Sequence, residues 1–360
     1  MLPKKLAVTF VAAHAIGCAP SAPATAPATS PTTRAAATVA SPMRDGTLIS
    51  EERCPLPTED EKIARSALPF RKHTHGQDQP HAAVDAAAPP APTVAPASPA
   101  EVASLRALVA EGRCRKVRYA SGGFSVVGFV LEPRGPGHHP VVLVARGGNS
   151  MMGLIGPRML LEMNQLVERG FVVLATQYRG SDGGEGVDQF GGGDTQDLAS
   201  LVPLARSLPS VEPGDPFVLG YSRGGMTAAL ALRRGLRVRA AALFSGLFDL
   251  ERDAREHPEM AENYRELVPG FKENPDAALR ERSAVAWAPE IHAPLLLLAG
   301  TRDTVVSPAN NAERLHALRR SANLESRLLT WDDGHGLDAH RVEAIDAIAD
   351  WFKSHAARAP

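Results

Sequence analysis

The chain has 360 residues, and its 39 Lys and Arg nearly balance 40 Asp and Glu, which gives a formal net charge of −1. Nucleic-acid binding needs a basic surface, and this sequence has neither an excess of basic side chains nor a run of them. Charge and composition therefore argue against nucleic acid as a partner.

The first residues have the pattern of an export signal. Two lysines precede an apolar segment from Leu6 to Ile16, and the small residue Gly17 separates this segment from Cys18. This segment is too short to span a bilayer, which is typical of a cleaved signal. The sequence AIGC resembles the cleavage and lipidation box of bacterial lipoproteins. We therefore predict that residues 1–18 are a signal peptide and that acylated Cys18 ties the protein to a membrane of the bacterial cell envelope. The alternative is a simple secretory signal that is cut nearby.

Residues 19–100 are predicted to be a low-complexity tether. Two stretches, 19–43 and 76–100, consist mostly of Ala, Pro, Thr and Ser. They have almost no large apolar side chains to offset the entropy lost on ordering, so we expect them to be extended. The segment 44–75 between them is expected to be semi-ordered, with a short helix around residues 59–68 and no assigned role.

Two cysteines, Cys54 and Cys114, lie on either side of the second stretch. Neither belongs to a metal-binding or catalytic-thiol pattern, and export would place them in an oxidising compartment. A bond between them would stabilise the fold by about 4 kcal/mol in the chain-entropy model. The sequence leaves two outcomes open, a disulfide or two separate thiols.

From residue 101 to residue 358 apolar strands alternate with amphipathic helices, which predicts one domain. Two β-rich runs on either side of Gly122 and Gly123 predict a hairpin. Six short runs follow in which nearly every residue is apolar, as in strands covered on both faces. These runs are 140–145, 171–176, 216–220, 240–244, 294–300 and 326–331. The predicted fold class is α/β, with a mostly parallel central sheet flanked by helices.

Helix signals separate these runs. Pro157 and Gly170 bracket apolar residues at helical spacing, which predicts a helix between them. A second helix is predicted from Asp194, with Asp194 as its cap and Asp197 in its first turn, so that capping alone accounts for both acids. Pro203 is expected to kink or end this helix early.

The sequence GYSRG places Ser222 between two glycines, after a predicted strand and before a predicted helix. This is the G-x-S-x-G nucleophile elbow in its required context. A serine hydroxyl also needs a base and an acid to orient that base. Asp303 and His335 each follow a later strand, and the chain order of serine, acid and histidine is that of the α/β-hydrolases. We therefore predict a catalytic triad of Ser222, Asp303 and His335. The acids nearest the histidine are expected to be turn and cap residues instead: Asp332, Asp333 and Asp338.

The oxyanion hole is predicted to pair the backbone N–H of Arg223 with an N–H of Gly147 or Gly148, in the loop after the strand 140–145. Arg146, which precedes these glycines, either assists electrostatically or lies at the solvated edge of the loop. This chemistry requires no cofactor and no metal.

Between residues 115 and 355 the chain resembles the catalytic domain of the prolyl oligopeptidase family of serine peptidases. Four segments carry the resemblance: 178–198, 220–226, 282–306 and 332–337. It implies cleavage of a short peptide, an ester or an acyl-amino acid through an acyl-enzyme. Two features differ from the family. No run of propeller-like strands occurs in the first hundred residues, and Arg146 occupies a position that usually holds histidine or tyrosine.

Three functions therefore remain as alternatives: a serine peptidase, a carboxylesterase, and, from a different class, an inactive hydrolase-fold binding protein. The segment 246–290 is too long for a plain crossover. We expect it to form a small helical cap over the serine that selects substrates, and the alternative is a surface excursion.

Overall fold

The structure is a computed structural model that describes residues 43–66 and 96–356. The predicted signal peptide, Cys18 and most of the predicted tether lie outside the described residues. Within the described ranges, no helix is both long enough and apolar enough to cross a bilayer.

The described ranges contain nine strands and eleven α-helices. The strands are β1 (Leu48–Arg53), β2 (Cys114–Ser121), β3 (Phe124–Leu131), β4 (Val141–Ala145), β5 (Val172–Thr176), β6 (Phe217–Tyr221), β7 (Ala241–Phe244), β8 (Leu295–Gly300) and β9 (Ser326–Trp331). The helices are α1 (Asp60–Ser66), α2 (Pro99–Ala110), α3 (Pro157–Glu168), α4 (Asp194–Ala199), α5 (Leu201–Arg206), α6 (Arg223–Arg233), α7 (Leu250–Glu256), α8 (Pro258–Leu267), α9 (Pro275–Arg282), α10 (Ala312–Ser321) and α11 (Arg341–Ser354).

All nine strands form a single sheet in the order β1-β2-β3-β5-β4-β6-β7-β8-β9. The first three strands pair antiparallel, and β3 also runs antiparallel to β5. The remaining neighbours, from β5 to β9, pair in parallel. The predicted fold class and the predicted hairpin are confirmed. Because parallel strands end at the same edge, the loops that follow β4, β6, β8 and β9 meet at one side of the sheet.

The central strands are apolar throughout because both faces of the sheet are covered. On β4, Leu143 packs into one hydrophobic cluster, whereas its neighbour Val142 packs into the other. On β6 the same alternation separates Val218 from Leu219. Successive side chains of a strand point to opposite faces, so two covered faces require an apolar residue at every position.

The two predicted helices are confirmed, with one refinement. Helix α3 begins at Pro157, and Gly170 just beyond its end has a φ of +92°, a backbone conformation that favours glycine. The predicted helix from Asp194 ends at Ala199, and α5 continues after it with Pro203 inside its first turn. A proline cannot donate to the carbonyl group four residues earlier, here that of Ala199. The break therefore precedes the proline by one turn.

The segment before the second predicted stretch of tether differs from expectation. Residues 48–53 add an antiparallel strand, β1, to the edge of the sheet beside β2. Helix α1 confirms the short helix predicted in this segment, and its Ile63 is fully buried in the cluster that also contains Leu105 of α2. All six residues of β1 are exposed. Because β1 has no buried apolar face, its sequence lacks the alternating pattern that predicts a strand. Backbone hydrogen bonds to β2 hold it in place.

A disulfide joins Cys54, the residue just after β1, to Cys114, the first residue of β2. Of the two outcomes that the sequence left open, the structure has the bond. The two cysteines are 60 residues apart in sequence, and both are buried. The bond therefore closes a long loop beside the exposed edge strand.

We expect the Cys54→Ala, Cys114→Ala double variant to lose about 4 kcal/mol of unfolding free energy, because the unfolded chain regains the entropy of the open loop. Urea denaturation of the oxidised wild type and the double variant measures this difference. The reduced wild type is the control and should match the double variant. Equal midpoints for the oxidised and reduced wild type would contradict a stabilising disulfide.

Candidate active site

Ser222 occupies a sharp corner between β6 and α6. Its backbone has a φ of 52° and a ψ of −119°, a conformation that residues other than glycine rarely adopt. A Cβ added to Gly220 would lie 2.5 Å from the carbonyl oxygen of Gly224, and a Cβ on Gly224 would overlap the carbonyl oxygen of Ala145. The corner closes only because both flanking positions lack a side chain. These are the features of a nucleophile elbow.

Asp303 and His335 contact each other in the loops after β8 and β9. The Nδ1 atom of His335 lies 2.7 Å from Asp303 Oδ2, and the other carboxylate oxygen accepts the backbone N–H groups of Val305 and Val306. The aspartate side chain is almost fully buried, whereas the histidine side chain is partly exposed. Because an ionised carboxylate only accepts hydrogen bonds, Nδ1 carries the proton and Nε2 is left to accept one.

The two loops support each other through their backbones. Arg302 N–H donates to the Asp333 carbonyl oxygen at 2.9 Å, and a Cβ on Gly300 would overlap the same oxygen. The Asp333 carboxylate accepts the N–H groups of Gly334 and Ala339 and contacts His340 Nδ1 at 3.0 Å. Asp333 thus caps its own loop, as predicted.

The other two acids near His335 form ion pairs. Asp338 pairs with Arg158 at the start of α3, and Asp332 lies 2.8 Å from Arg302. Among the described side chains, no group of three or more His, Cys, Asp or Glu residues is placed to hold a metal ion.

The loop after β4, residues 146–153, lies against the elbow. A Cβ on Gly147 would be 3.2 Å from the Cβ of Ser222 and 3.9 Å from its hydroxyl oxygen. Gly148 has a φ of +69°, and a Cβ there would overlap the carbonyl oxygen of Met152. Gly147 thus brings the loop against the serine, and Gly148 lets the loop close on itself. Arg223, whose N–H is the other predicted oxyanion donor, is the first residue of α6.

Of the two roles predicted for Arg146, the structure contradicts the one at a solvated edge, and the electrostatic one stays a prediction. The residue is 0% exposed, and burial lowers the pKa of its guanidinium to about 10. Its donors reach four carbonyl oxygens and one hydroxyl, which belong to Gln177, Gly147, Met152, Ser150 and Ser181. Three of these carbonyls are in the loop after β4. Arg146 therefore braces that loop from inside and does not lie at a solvated edge.

The prediction that capping alone accounts for Asp194 and Asp197 is wrong. Gly193 occupies the cap position of α4, and no side chain caps the helix. Both carboxylates are buried in ion pairs, Asp194 with Arg223 at 2.7 Å and Asp197 with Arg179 at 2.7 Å. The cap pattern concealed these pairs because their arginines lie 18 and 29 residues away in sequence.

The segment 246–290 is helical, with α7, α8 and α9 and two short 3₁₀ turns. Tyr264 of α8 is buried and packs edge-on against Phe190, with ring centroids 5.2 Å apart. Arg282 at the end of α9 donates to the Phe190 carbonyl oxygen at 2.6 Å. The helices therefore pack against the loop before α4. A cap role in substrate selection stays a prediction.

A serine elbow on a mostly parallel sheet, with an acid and a histidine after two later strands, defines the α/β-hydrolase class. Within this class, the model of the prolyl oligopeptidase family matches residues 158–359. The chain belongs to this family of serine peptidases.

Relatives of this chain support the assignment. The uncharacterized peptidase YtmA of Bacillus subtilis (strain 168) is 30% identical over 196 residues, which cover 54% of this chain and 75% of YtmA. The uncharacterized peptidase YuxL of the same organism is 26% identical over 269 residues, or 67% of this chain and 39% of YuxL.

Among solved structures, a Mycobacterium tuberculosis puromycin-hydrolyzing peptidase superposes with a TM-score of 0.60 at 24% identity. The match covers 67% of this chain and 40% of that one. At this identity the likeness concerns the fold. The chain thus spans about two fifths of the length of YuxL and of the solved peptidase.

Proposed function

We propose that the protein is a serine peptidase that cleaves short peptides or aminoacyl amides through an acyl-enzyme. The observation that carries this proposal is the 2.7 Å contact between His335 Nδ1 and Asp303. The parallel pairing of the strands supports the proposal, because the loops with this contact and the elbow of Ser222 follow strands that end at the same edge of the sheet. Membership of the prolyl oligopeptidase family supports the peptidase assignment.

The proposed reaction begins when Nε2 of His335 takes the hydroxyl proton of Ser222. The serine oxygen bonds to the substrate carbonyl carbon and forms a tetrahedral oxyanion, which accepts hydrogen bonds from the N–H of Arg223 and an N–H of the loop after β4. The buried Asp303 orients the imidazole and stabilises its cation. The histidine then gives its proton to the leaving amine, and the C–N bond breaks.

The second half of the reaction repeats these roles with water. His335 takes a proton from a water molecule, whose oxygen attacks the acyl carbon. The bond to the Ser222 oxygen breaks, and the hydroxyl regains its proton from the histidine. The carboxylic acid product leaves, and the enzyme returns to its starting protonation state.

A substrate panel separates this proposal from its two alternatives. We expect the full chain to react with a fluorophosphonate probe and to hydrolyse aminoacyl p-nitroanilides and puromycin, in each of which an amide bond is cleaved. Hydrolysis of p-nitrophenyl esters without any amide hydrolysis would favour the carboxylesterase alternative. Failure of the wild-type protein to react with the probe would favour an inactive binding protein.

We further propose that the protein is exported and held at a membrane of the cell envelope by acylation of Cys18. The pattern of residues 1–18 supports export. The disulfide between Cys54 and Cys114 adds support, because structural disulfides persist mainly in oxidising compartments.

In bacteria that express the full chain, we expect Cys18 to incorporate a radiolabelled fatty acid and the protein to fractionate with membranes. The Cys18→Ala variant should lose both the label and the membrane association, since it lacks the thiol to be acylated. A Ser21→Ala variant, changed three residues away, is the matched control and should keep both. Unlabelled wild-type protein in the soluble fraction would contradict the lipid anchor.

A further inference from the structure

The side chain of Arg223 connects the elbow to the loop after β4. This arginine follows Ser222 directly, yet it is only 2% exposed. Its Nη1 atom donates to the Gly148 carbonyl oxygen at 2.9 Å and to Asp188 Oδ2 at 2.7 Å. Its Nη2 atom donates to Asp188 Oδ1 at 2.6 Å and to Asp194 Oδ2 at 2.7 Å. The side chain thus binds the Gly148 carbonyl group and two buried carboxylates.

Asp188 extends this connection to the far part of the same loop. Its Oδ2 atom accepts the backbone N–H of Ser150 at 2.6 Å, and its Oδ1 atom accepts the N–H of Phe190 at 2.9 Å. The Arg223–Asp188 pair therefore holds the loop after β4 at two points, the carbonyl of Gly148 and the N–H of Ser150.

Aromatic rings and charge keep the pair in one geometry. The guanidinium carbon of Arg223 lies 4.9 Å from the ring centre of Tyr178 and 4.6 Å from that of Phe190. Burial lowers the pKa of Arg223, but Asp194 and Asp188 outweigh burial, and the net pKa is above its usual value. Burial likewise raises the pKa of Asp188, and Arg223 outweighs it, so the net pKa is lowered. Both partners stay charged across the pH range of an assay.

The geometry points to a positioning role for the Arg223–Asp188 pair: it fixes the distance between the two backbone donors of the oxyanion hole. The N–H of Arg223 is one proposed donor, and its side chain holds the loop that supplies the other. This inference rests on the proposed serine hydrolase function.

A role in stability alone explains the pair less well. A buried ion pair often stabilises a fold no better than well-packed apolar residues of similar volume. These two charges bind the backbone of one functional loop, whereas the other buried pair of this region, Arg179 with Asp197, does not. Among the described contacts, Asp197 accepts hydrogen bonds from Arg179 and Ser121, and none reaches residues 146–153.

The test is Asp188→Asn, which keeps the shape of the side chain and replaces one acceptor oxygen by a donor. We expect kcat to fall about a hundredfold with KM unchanged, the loss typical of a group misplaced by about 1 Å. A peptide aldehyde, whose adduct with Ser222 carries the oxyanion, should bind more weakly by the same factor.

Asp197→Asn is the matched control, because it removes a charge from a buried arginine pair without touching the loop. This variant should keep the wild-type kcat and aldehyde affinity even if its melting temperature falls.

A second variant changes the other partner of the pair, so the test does not depend on the folding of Asp188→Asn alone. Arg223→Lys keeps the charge but lacks the planar fork, so it cannot bind Gly148 and both carboxylates at once. It should reproduce the loss of kcat at constant KM. The inference is overturned if folded Asp188→Asn or Arg223→Lys protein keeps the kcat and aldehyde affinity of Asp197→Asn. It is also overturned if both variants fail to fold under conditions in which Asp197→Asn folds. If the wild-type protein itself does not react with a fluorophosphonate, the proposed function fails, and not this inference alone.

Discussion

The Ser222→Ala variant is expected to lose all measurable turnover and all reaction with a fluorophosphonate probe. The substitution removes only the hydroxyl group, and both the acyl-enzyme and the probe adduct form on the oxygen of that group. The residual catalysis that a triad enzyme keeps without its nucleophile comes from the oxyanion hole and lies several orders of magnitude below the wild-type rate. Steady-state kinetics and in-gel fluorescence of the probe measure the two losses.

Ser245→Ala is the matched control for this experiment. Ser245 follows the neighbouring strand β7, and its φ of 46° is close to that of Ser222. Its buried hydroxyl has no hydrogen-bond partner among the described residues, so alanine removes no bond. We expect this variant to keep turnover and probe labelling. Labelling that persists in Ser222→Ala would show that another residue is the nucleophile.

The Asp303→Asn variant is expected to lose about four orders of magnitude in kcat, as in triads where the acid fixes the histidine tautomer. One oxygen of Asp303 is held by the N–H groups of Val305 and Val306, and the other faces His335 Nδ1. If the remaining oxygen of asparagine keeps the two N–H groups, the amide NH₂ faces Nδ1. The imidazole then carries its proton on Nε2 and cannot accept the serine proton.

Asp333→Asn provides the comparison, because Asp333 forms the other acid–histidine contact of these loops, with His340 at 3.0 Å. It caps a turn and has no proposed part in proton transfer. Its kcat should stay close to the wild-type value, and unfolding curves of both variants separate rate from stability. Similar losses of kcat in the two variants would contradict the assignment of Asp303 as the acid of the triad.

The strands of the central sheet were predictable because their physical cause is local. A strand covered on both faces must be apolar at every position, and five of the six apolar runs match fully buried strands within one residue. The sixth run matches the edge strand β9, whose residues are partly or fully exposed. The elbow and the contact between Asp303 and His335 were predictable for a related reason. Parallel strands end at one edge, so residues placed just after different strands come together there.

The buried ion pairs were not predictable because their causes are remote in sequence. Asp194 and Asp197 have the local pattern of helix-capping acids, and only the tertiary fold brings Arg223 and Arg179 to them. The burial of Arg146 was not predictable from the sequence either, because four of its five acceptors are backbone carbonyls, which every residue carries. An arginine next to a catalytic motif, such as Arg223 or Arg146, can indicate a buried hydrogen-bond network. The sequence does not identify the residues that this arginine binds.

The edge strand β1 has a mechanical consequence for the proposed anchoring of the protein at Cys18. It is the first described strand and lies five positions from β6 in the sheet, roughly 24 Å at the usual spacing of about 4.8 Å. A pulling force transmitted along the leading segment enters at that rim. It is then borne by the backbone ladder with β2 and by a covalent cross-link that cannot slip. Under the proposed anchoring at Cys18, such a force would therefore act on the sheet far from Ser222.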